Sequence, residues 1–367
     1  MRASDDEVEA LRATARSFLT GALPPARVRA VLEAGGGYDR DAWHTLTRDL
    51  SLTGIAIPEE FGGAGYTFGE LGVVLQEFGA TLAPVPFLPT AVAACAVLAL
   101  GDLPARRALL PELAAGDTVA TAVLTGAALR AEERGGAWFV SGNAPHVPDG
   151  VHAHLAVVRA DTEAGGELLA VRLDAGGVTV RPLTALDPLR PIAAVDFDGA
   201  PATLLGRGSI TRPWLGLELA VSAQLVAVAC EQVGGAARCL DMIVDYLKTR
   251  EQFGVPIGSF QALKHRCADM LTSLEAARSI ADDACERVAA AFAGDGLATL
   301  HATAAAAAAW CADTYVHLAQ ENVQLHGGIG FTWEHDAHLH LRRARADQLL
   351  YGTPREQRRV VAAAMGI

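Results

Sequence analysis

Two short stretches hold the residue types and spacing that could do chemistry. Arg250 stands at the end of a long helical pattern, three residues before Phe253 and the turn residue Gly254. A guanidinium there offers a planar, forked set of donors to a phosphate. The ordinary alternative is a surface arginine opposing the partial negative charge of a helix end. Residues 324–332, QLHGGIGFT, contain Gly327, Gly328 and Gly330. Three glycines in four positions let backbone amides approach a pyrophosphate closely, where any side chain would obstruct it. Neither signal is specific alone. His326, His335, His338 and His340 crowd the same region, and His335 and His338 fall on adjacent helical turns, a spacing that could suggest a metal. His340 points away from His338 at helical spacing, so no metal is expected and the four read as a solvated or interface cluster.

The elements that must position these residues fall into three zones. Residues 1–118 read as a helical domain, opening with Ser4 and Glu7 in capping-box spacing before an apolar-periodic run. Within it, residues 57–65, IPEEFGGAG, can only be a turn-rich connection. Residues 119–207 change texture: short strand-like runs near 119–123, 138–140, 155–158, 168–173, 178–183 and 192–197 are separated by Gly, Pro and Asp. Such spacing favours a small antiparallel barrel or sandwich over a parallel sheet. No G-x-G-x-x-G follows a strand, which disfavours a Rossmann nucleotide fold. Residues 208–367 return to helical periodicity after Pro213, over 215–247, 260–293, 297–320, 336–350 and a last helix after Pro354, with Ser259 a cap for the second. Antiparallel helices on short loops make a four-helix bundle. The fold class is therefore α+β, mostly α.

Composition removes several functional classes. The chain has 367 residues, 51% of them hydrophobic, enough for one large core or two to three smaller ones. A net charge of −12 without a basic stripe gives no footprint for nucleic acid, yet allows one anionic cofactor at a local positive site. The apolar run at 91–100 is too short to span a bilayer, and no basic-then-apolar leader precedes Ser4; a cytoplasmic protein is expected. Cys95, Cys230, Cys239, Cys267, Cys285 and Cys311 lack C-x-x-C spacing and read as buried, reduced thiols.

Taken together, R-E-Q-F-G at 250–254 and Q-L-H-G-G-I-G-F-T at 324–332 resemble the C-terminal domain of the acyl-CoA dehydrogenase family. The loop at 57–65 resembles that family's Pro-Glu-Glu-aromatic-Gly-Gly-x-Gly connection, and the helical, strand, helical domain order is its order. The resemblance implies FAD, with Arg250, Phe253, Gln324, Gly327, Gly328 and Thr353 as its contacts. It further implies that the arginine and the glutamine-glycine loop reach across a subunit interface to the ADP half of a neighbour's flavin. The substrate implied is an acyl-CoA, and electron-transfer flavoprotein is the implied acceptor.

The family's reaction removes an α-proton with a glutamate while hydride passes from the β-carbon to the flavin. One lineage places that glutamate immediately before a Gly-Thr pair; here Tyr351 precedes Gly352 and Thr353. Another places it on the helix before R-x-x-F-G, where this chain has Gln224. Phenol is a poor base at neutral pH and an amide is none. Glu231 lies seven residues on, roughly 10 Å along the axis, and Glu218 is rotated away; both read as packing-edge or solvated residues. Residues 121–126, TAVLTG, replace the family's Thr-Glu-Pro stretch, and residues 144–148, APHVP, replace the expected continuation after a strand and turn ending at Asn143. Resemblance extends to heterotetrameric dehydrogenases of sterol side chains, in which one chain lacks the base. The chain thus reads as that partner, paired with a homologue that bears the glutamate. Two alternatives stand: a self-sufficient homotetramer with a relocated base, acting on acyl-CoA or an acyl-carrier protein, and a flavin-free scaffold of the same fold.

Overall fold

A computed structural model describes residues 3–35, 37–206 and 213–367, with the side chains of residues 213 and 214 outside the description. The boundary expected at 207/208 lies outside the described residues. The N-terminal part holds α1 (Asp5–Ala22), α2 (Pro25–Glu33), α3 (Arg40–His44), α4 (Phe68–Thr81), α5 (Phe87–Leu100) and α6 (Leu103–Ala114). Ser4 caps α1 and receives the reciprocal bond of a capping box, its amide donating to Glu7 at 2.7 Å. The 57–65 connection turns through Gly62 and Gly65, both at positive φ. α5 is buried all round, because it is sandwiched between the strand domain and the C-terminal helices.

The middle domain contains β1 (Ala120–Val123), β2 (Ala128–Arg134), β3 (Ala137–Pro148), β4 (Leu155–Thr162), β5 (Gly165–Arg172), β6 (Val178–Leu183) and β7 (Ile192–Leu204). β4, β2, β3, β7 and β5 pair in turn, and β5 pairs back to β4, which closes the sheet into a small barrel and leaves few edges. The sheet is not purely antiparallel, as the sequence suggests: β1 runs parallel to β4. The β2–β3 hairpin is inserted between them and supplies the return. β2 is missing from the sequence reading because only Leu129 and Ala131 of its seven residues face inward. β3 also differs from expectation. Residues 141–143 do not end the strand but carry a bulge, with Gly142 at φ +128° and its register shifted against β7, so the chain continues to Pro148.

The C-terminal part is α7 (Pro213–Thr249), α8 (Gln261–Phe292), α9 (Leu300–His326), α10 (Ala337–Leu350) and α11 (Pro354–Ala364). Ser259 does not cap α8; Phe260 holds the cap position, and the Ser259 hydroxyl donates to the Pro256 carbonyl at 2.7 Å. α7 is long and apolar enough to cross a membrane by composition, but its most apolar stretch is 94% buried within the protein. Its apolar faces pack on α4, α5, α8 and α9. The α4–α7 contact is backbone on backbone: a Cβ on Gly234 would stand 1.7 Å from the Gln76 carbonyl oxygen, and one on Gly79 1.9 Å from that of Glu231. Only glycine permits this approach. All six cysteines are free; five are buried and Cys267 is half-buried.

Candidate functional site

α7 and α9 run in the same direction. Met242 meets Asn322 at 3.7 Å and the Tyr246 ring lies 4.5 Å from that of His326, so the same offset holds along both helices. Arg250, at the end of α7, and Gln324, near the end of α9, are thereby brought to one end of the bundle. Beyond Arg250 the two-residue strands β8 (Glu251–Gln252) and β9 (Val255–Pro256) form a tight hairpin. It is held by the Ile257 amide donating to the Arg250 carbonyl at 2.8 Å. Phe253 sits at its tip with φ +56° and is 93% exposed. Its ring meets Phe260 edge-on at 6.2 Å. Arg250 and Gln324 are exposed, and among the described residues no carboxylate pairs with Arg250.

Gly327, Gly328, Ile329 and Phe331 continue this exposed rim, Phe331 at 86%. Gly327 has φ +62°, and neither it nor Gly328 has any atom within 4 Å of the place a Cβ would occupy. The Gly327 amide is itself engaged by the Gln324 carbonyl. What the rim offers is an exposed guanidinium with no carboxylate paired to it among the described residues and, at Gly327 and Gly328, backbone that no side chain screens. That combination lets a phosphate approach from outside the chain. Thr353 stands apart. It is the N-cap of α11, its amide bonded to Glu356 at 2.8 Å and its hydroxyl at 2.9 Å, and none of its described bonds leads to the rim.

The histidines are not a solvated cluster. His326 and His340 are buried. The His326 ring lies between Tyr246 and His335, the latter at 4.3 Å, and His338 stacks on Trp333 at 5.0 Å. Burial lowers the pKa of all four, which suits rings used as flat packing surfaces. Among the described residues, no group of three or more His, Cys, Asp or Glu is arranged for a metal.

The two positions at which the resemblance expects a base lie inside. Gln224 is buried on α7. Tyr351 follows α10, packs partly buried against the core, and burial pushes its phenol pKa further up, away from use as a base. Glu231 is not solvated, as the sequence suggests, but 4% exposed. Both of its oxygens accept from Arg190, at 2.6 and 2.5 Å, and one accepts from Arg343 at 3.1 Å. Arg190 also bonds Asp347 at 2.5 Å, and Arg343 bonds Asp187. Asp149 lies nearby, its carboxyl pushed up to about 7 by burial; burial likewise raises Asp347. The network ties the loop before β7, α7 and α10 together. Beside it, between Phe78, Leu88, Asp149 and Arg190, the free space is about 10 Å³, room for no more than a single water.

Sequence reasoning missed this network. The available signal was on α10: Leu339, Arg343 and Asp347 share one face at i, i+4 spacing, so two charges sit on a stripe that begins apolar. Thr121, in the stretch that departs from the family pattern, is fully buried and its hydroxyl donates to the Pro148 carbonyl at 2.8 Å.

Residues 221–366 match the acyl-CoA dehydrogenase C-terminal domain and residues 5–117 the N-terminal domain of the same enzymes. Acyl-CoA dehydrogenase IpdE2 of Mycolicibacterium smegmatis is 36% identical over 98% of this chain and 98% of its own length. Among solved structures, a variant of the Tcur3481–Tcur3483 steroid ACAD superposes with a TM-score of 0.89 at 29% identity, covering 98% of each chain. The ChsE4–ChsE5 complex from Mycobacterium tuberculosis does so at 0.90 and 26% identity, covering 99% of this chain and 98% of that one.

Proposed function

We propose, from the premise that this chain belongs to the acyl-CoA dehydrogenase family, that it is the base-deficient subunit of an FAD-dependent complex that introduces an α,β double bond into an acyl-CoA thioester. The observation that carries the reading is the state of the interior carboxylates. Gln224 and Tyr351 provide none; of the two acids within two turns of Gln224 on α7, Glu218 is rotated about 240° from it, and Glu231 has its lone pairs engaged by two guanidinium groups. A base must meet the substrate proton within hydrogen-bonding distance, and a carboxylate locked between Arg190 and Arg343 is not free to do so. The steroid ACAD among the structural neighbours supports a bulky acyl group.

FAD, when bound, supplies the acceptor for the β-hydride. This chain's part is to bind and orient. Arg250 would hold a phosphate of a flavin seated in a homologous partner, the unscreened backbone at Gly327 and Gly328 would let that phosphate come close, and Gln324 and Phe253 would pack beside it. The partner brings the glutamate that takes the α-proton, and electron-transfer flavoprotein is the onward acceptor. The test is to express the chain alone and together with a glutamate-bearing homologue, then to quantify flavin per chain and acyl-CoA-dependent dye reduction. The chain alone is expected to carry little FAD and to be inactive, and Tyr351→Glu is expected not to rescue it. Stoichiometric flavin with turnover in the isolated chain would overturn the reading.

A further inference from the structure

One cavity shares no lining residue with either the exposed rim or the ion network. It occupies about 690 Å³ between the α1–α2 hairpin and the facing surfaces of α4, α7, α8 and α10. That volume is in the range that takes a small organic ligand. One wall is apolar, made by Leu23, Val28, Leu82, Val233, Ala237 and Leu339.

Most charges around it are already engaged. Arg12 and Arg16 bond Glu77 at 3.2 and 2.9 Å, Asp336 holds Arg29, and Arg278 pairs with Glu275. Asp282 has its carboxyl raised by burial and hydrogen-bonded with Gln76, and Asp241 is at the exposed edge. Arg238 differs. It lines the cavity, its side chain is exposed, and among the described residues no carboxylate pairs with it.

A second donor comes from His340, only 3% exposed yet part of the lining. Its Nδ1 lies 3.0 Å from the Tyr315 hydroxyl. That hydroxyl has no other partner among the described bonds; in the tautomer in which it donates to Nδ1, the ring proton sits on Nε2. Burial and the charges of Arg238 and Arg343 keep the ring neutral. Among the described residues nothing accepts from Nε2. His340 Nε2 is not among the fully enclosed unpartnered atoms, so in that tautomer its N–H is open to the cavity, where water or a ligand can take it.

We propose that this cavity binds an amphipathic carboxylic acid, its apolar body against the Leu23–Leu339 wall and its carboxylate received by Arg238 and the His340 Nε2–H. A guanidinium and a neutral imidazole that line one cavity with an apolar wall match one acceptor-rich head on a hydrophobic frame. The site requires neither flavin nor a partner subunit, so it stands or falls independently of the function proposed above.

The test is isothermal titration calorimetry of the full chain with cholate and with dodecanoate, using methyl cholate as the uncharged control. Cholate or dodecanoate is expected to bind, and methyl cholate about tenfold or more weaker, the scale of one lost charge-assisted bond. Arg238→Ala, at an exposed position, is expected to weaken the acid by the same factor. Thr20→Trp, which fills the mouth from α1, is expected to abolish binding. No binding of either acid up to about 1 mM, the weak end of measurable affinity, would overturn the proposal. So would equal affinity for cholate and its ester, or binding unchanged in both variants. Loss in Thr20→Trp with none in Arg238→Ala would also reject it, by leaving an apolar cavity without carboxylate recognition.

Discussion

The interior around Glu231 and the rim around Arg250 are both built on arginine, and they use it in opposite ways. Arg190 and Arg343 are buried, and each bonds two carboxylates drawn from different elements. Arg250 is exposed at a helix end, at the same end of the bundle as glycines whose backbone no side chain screens, with no carboxylate paired to it among the described residues. The first arrangement draws its partners from within the chain, leaving only Asp347 Oδ2 of its carboxylate oxygens buried and unpartnered among the described residues; the second has no carboxylate partner there. A guanidinium whose partners are all internal contributes to folding and to domain register, while one presented unpaired on a rim contributes to binding. Mutating each region should therefore move a different observable.

The largest separation is expected from Arg343→Ala against Arg250→Ala in the isolated chain. Removing Arg343 leaves Asp187 without its buried guanidinium and Glu231 with Arg190 alone, a loss of about 3–5 kcal/mol by the usual behaviour of broken buried pairs. Arg250→Ala should stay within about 0.5 kcal/mol, as exposed substitutions do. Urea denaturation followed by circular dichroism measures both. Equal effects would dissolve the distinction between the regions.

The next effect sharpens the interior side through pH. Asp149 keeps its carboxyl protonated up to about 7 because burial disfavours the charge. An unfolded aspartate loses its proton near 3.9. Between these values the folded state holds a proton that the unfolded state has shed, so stability falls as pH rises through the window, by at most about 1.4 kcal/mol per unit. Asp149→Asn should flatten that slope. Asparagine suits the site, whose φ is +51°. A variant with the same slope as the parent would remove Asp149 from the network's titration.

On the rim the expected readout is flavin retention in the assembled complex. Loss of one charge-assisted phosphate contact by Arg250→Ala should raise the FAD dissociation constant roughly ten- to a hundredfold. Arg250→Lys should recover only part, since it lacks the planar fork. Flavin fluorescence titration, with assembly checked by size exclusion, measures it. An unchanged constant in a fully assembled Arg250→Ala complex would take Arg250 out of the flavin site.

How much of this was legible in the sequence follows the same divide. The rim residues sit within a few positions of one another in two motifs, Arg250 to Gly254 and Gln324 to Gly330, and local pattern reveals them. The helix periodicities, the Ser4 capping box and most strands are local as well. The ion network is not: Asp187 and Arg343 are 156 residues apart, and Glu231 is 112 from Arg343, so each charge looks solvated until the domains close on one another. β2 was hidden because five of its seven residues face out. The histidines misled because spacing along a helix does not say that His326 is stacked between Tyr246 and His335.

Thr353 belongs by resemblance to the rim and by geometry to neither region, which makes it the finest test of the comparison. Its hydroxyl accepts from the Glu356 amide at 3.3 Å, and the Glu356 carboxylate receives both the hydroxyl and the amide of Thr353. That is a closed capping box, with the residue's polar groups engaged at the start of α11. Thr353→Ala should cost about 1 kcal/mol of stability, the usual penalty of a lost N-cap, and Thr353→Ser should restore most of it. The FAD dissociation constant of the assembled complex should change by less than about twofold, far below the rim value, because no charge-assisted bond is removed. Paired urea denaturation and flavin titration on the same two variants decide the matter. A tenfold rise in the FAD constant with unchanged stability would return Thr353 to the cofactor and show that the rim extends to the start of α11.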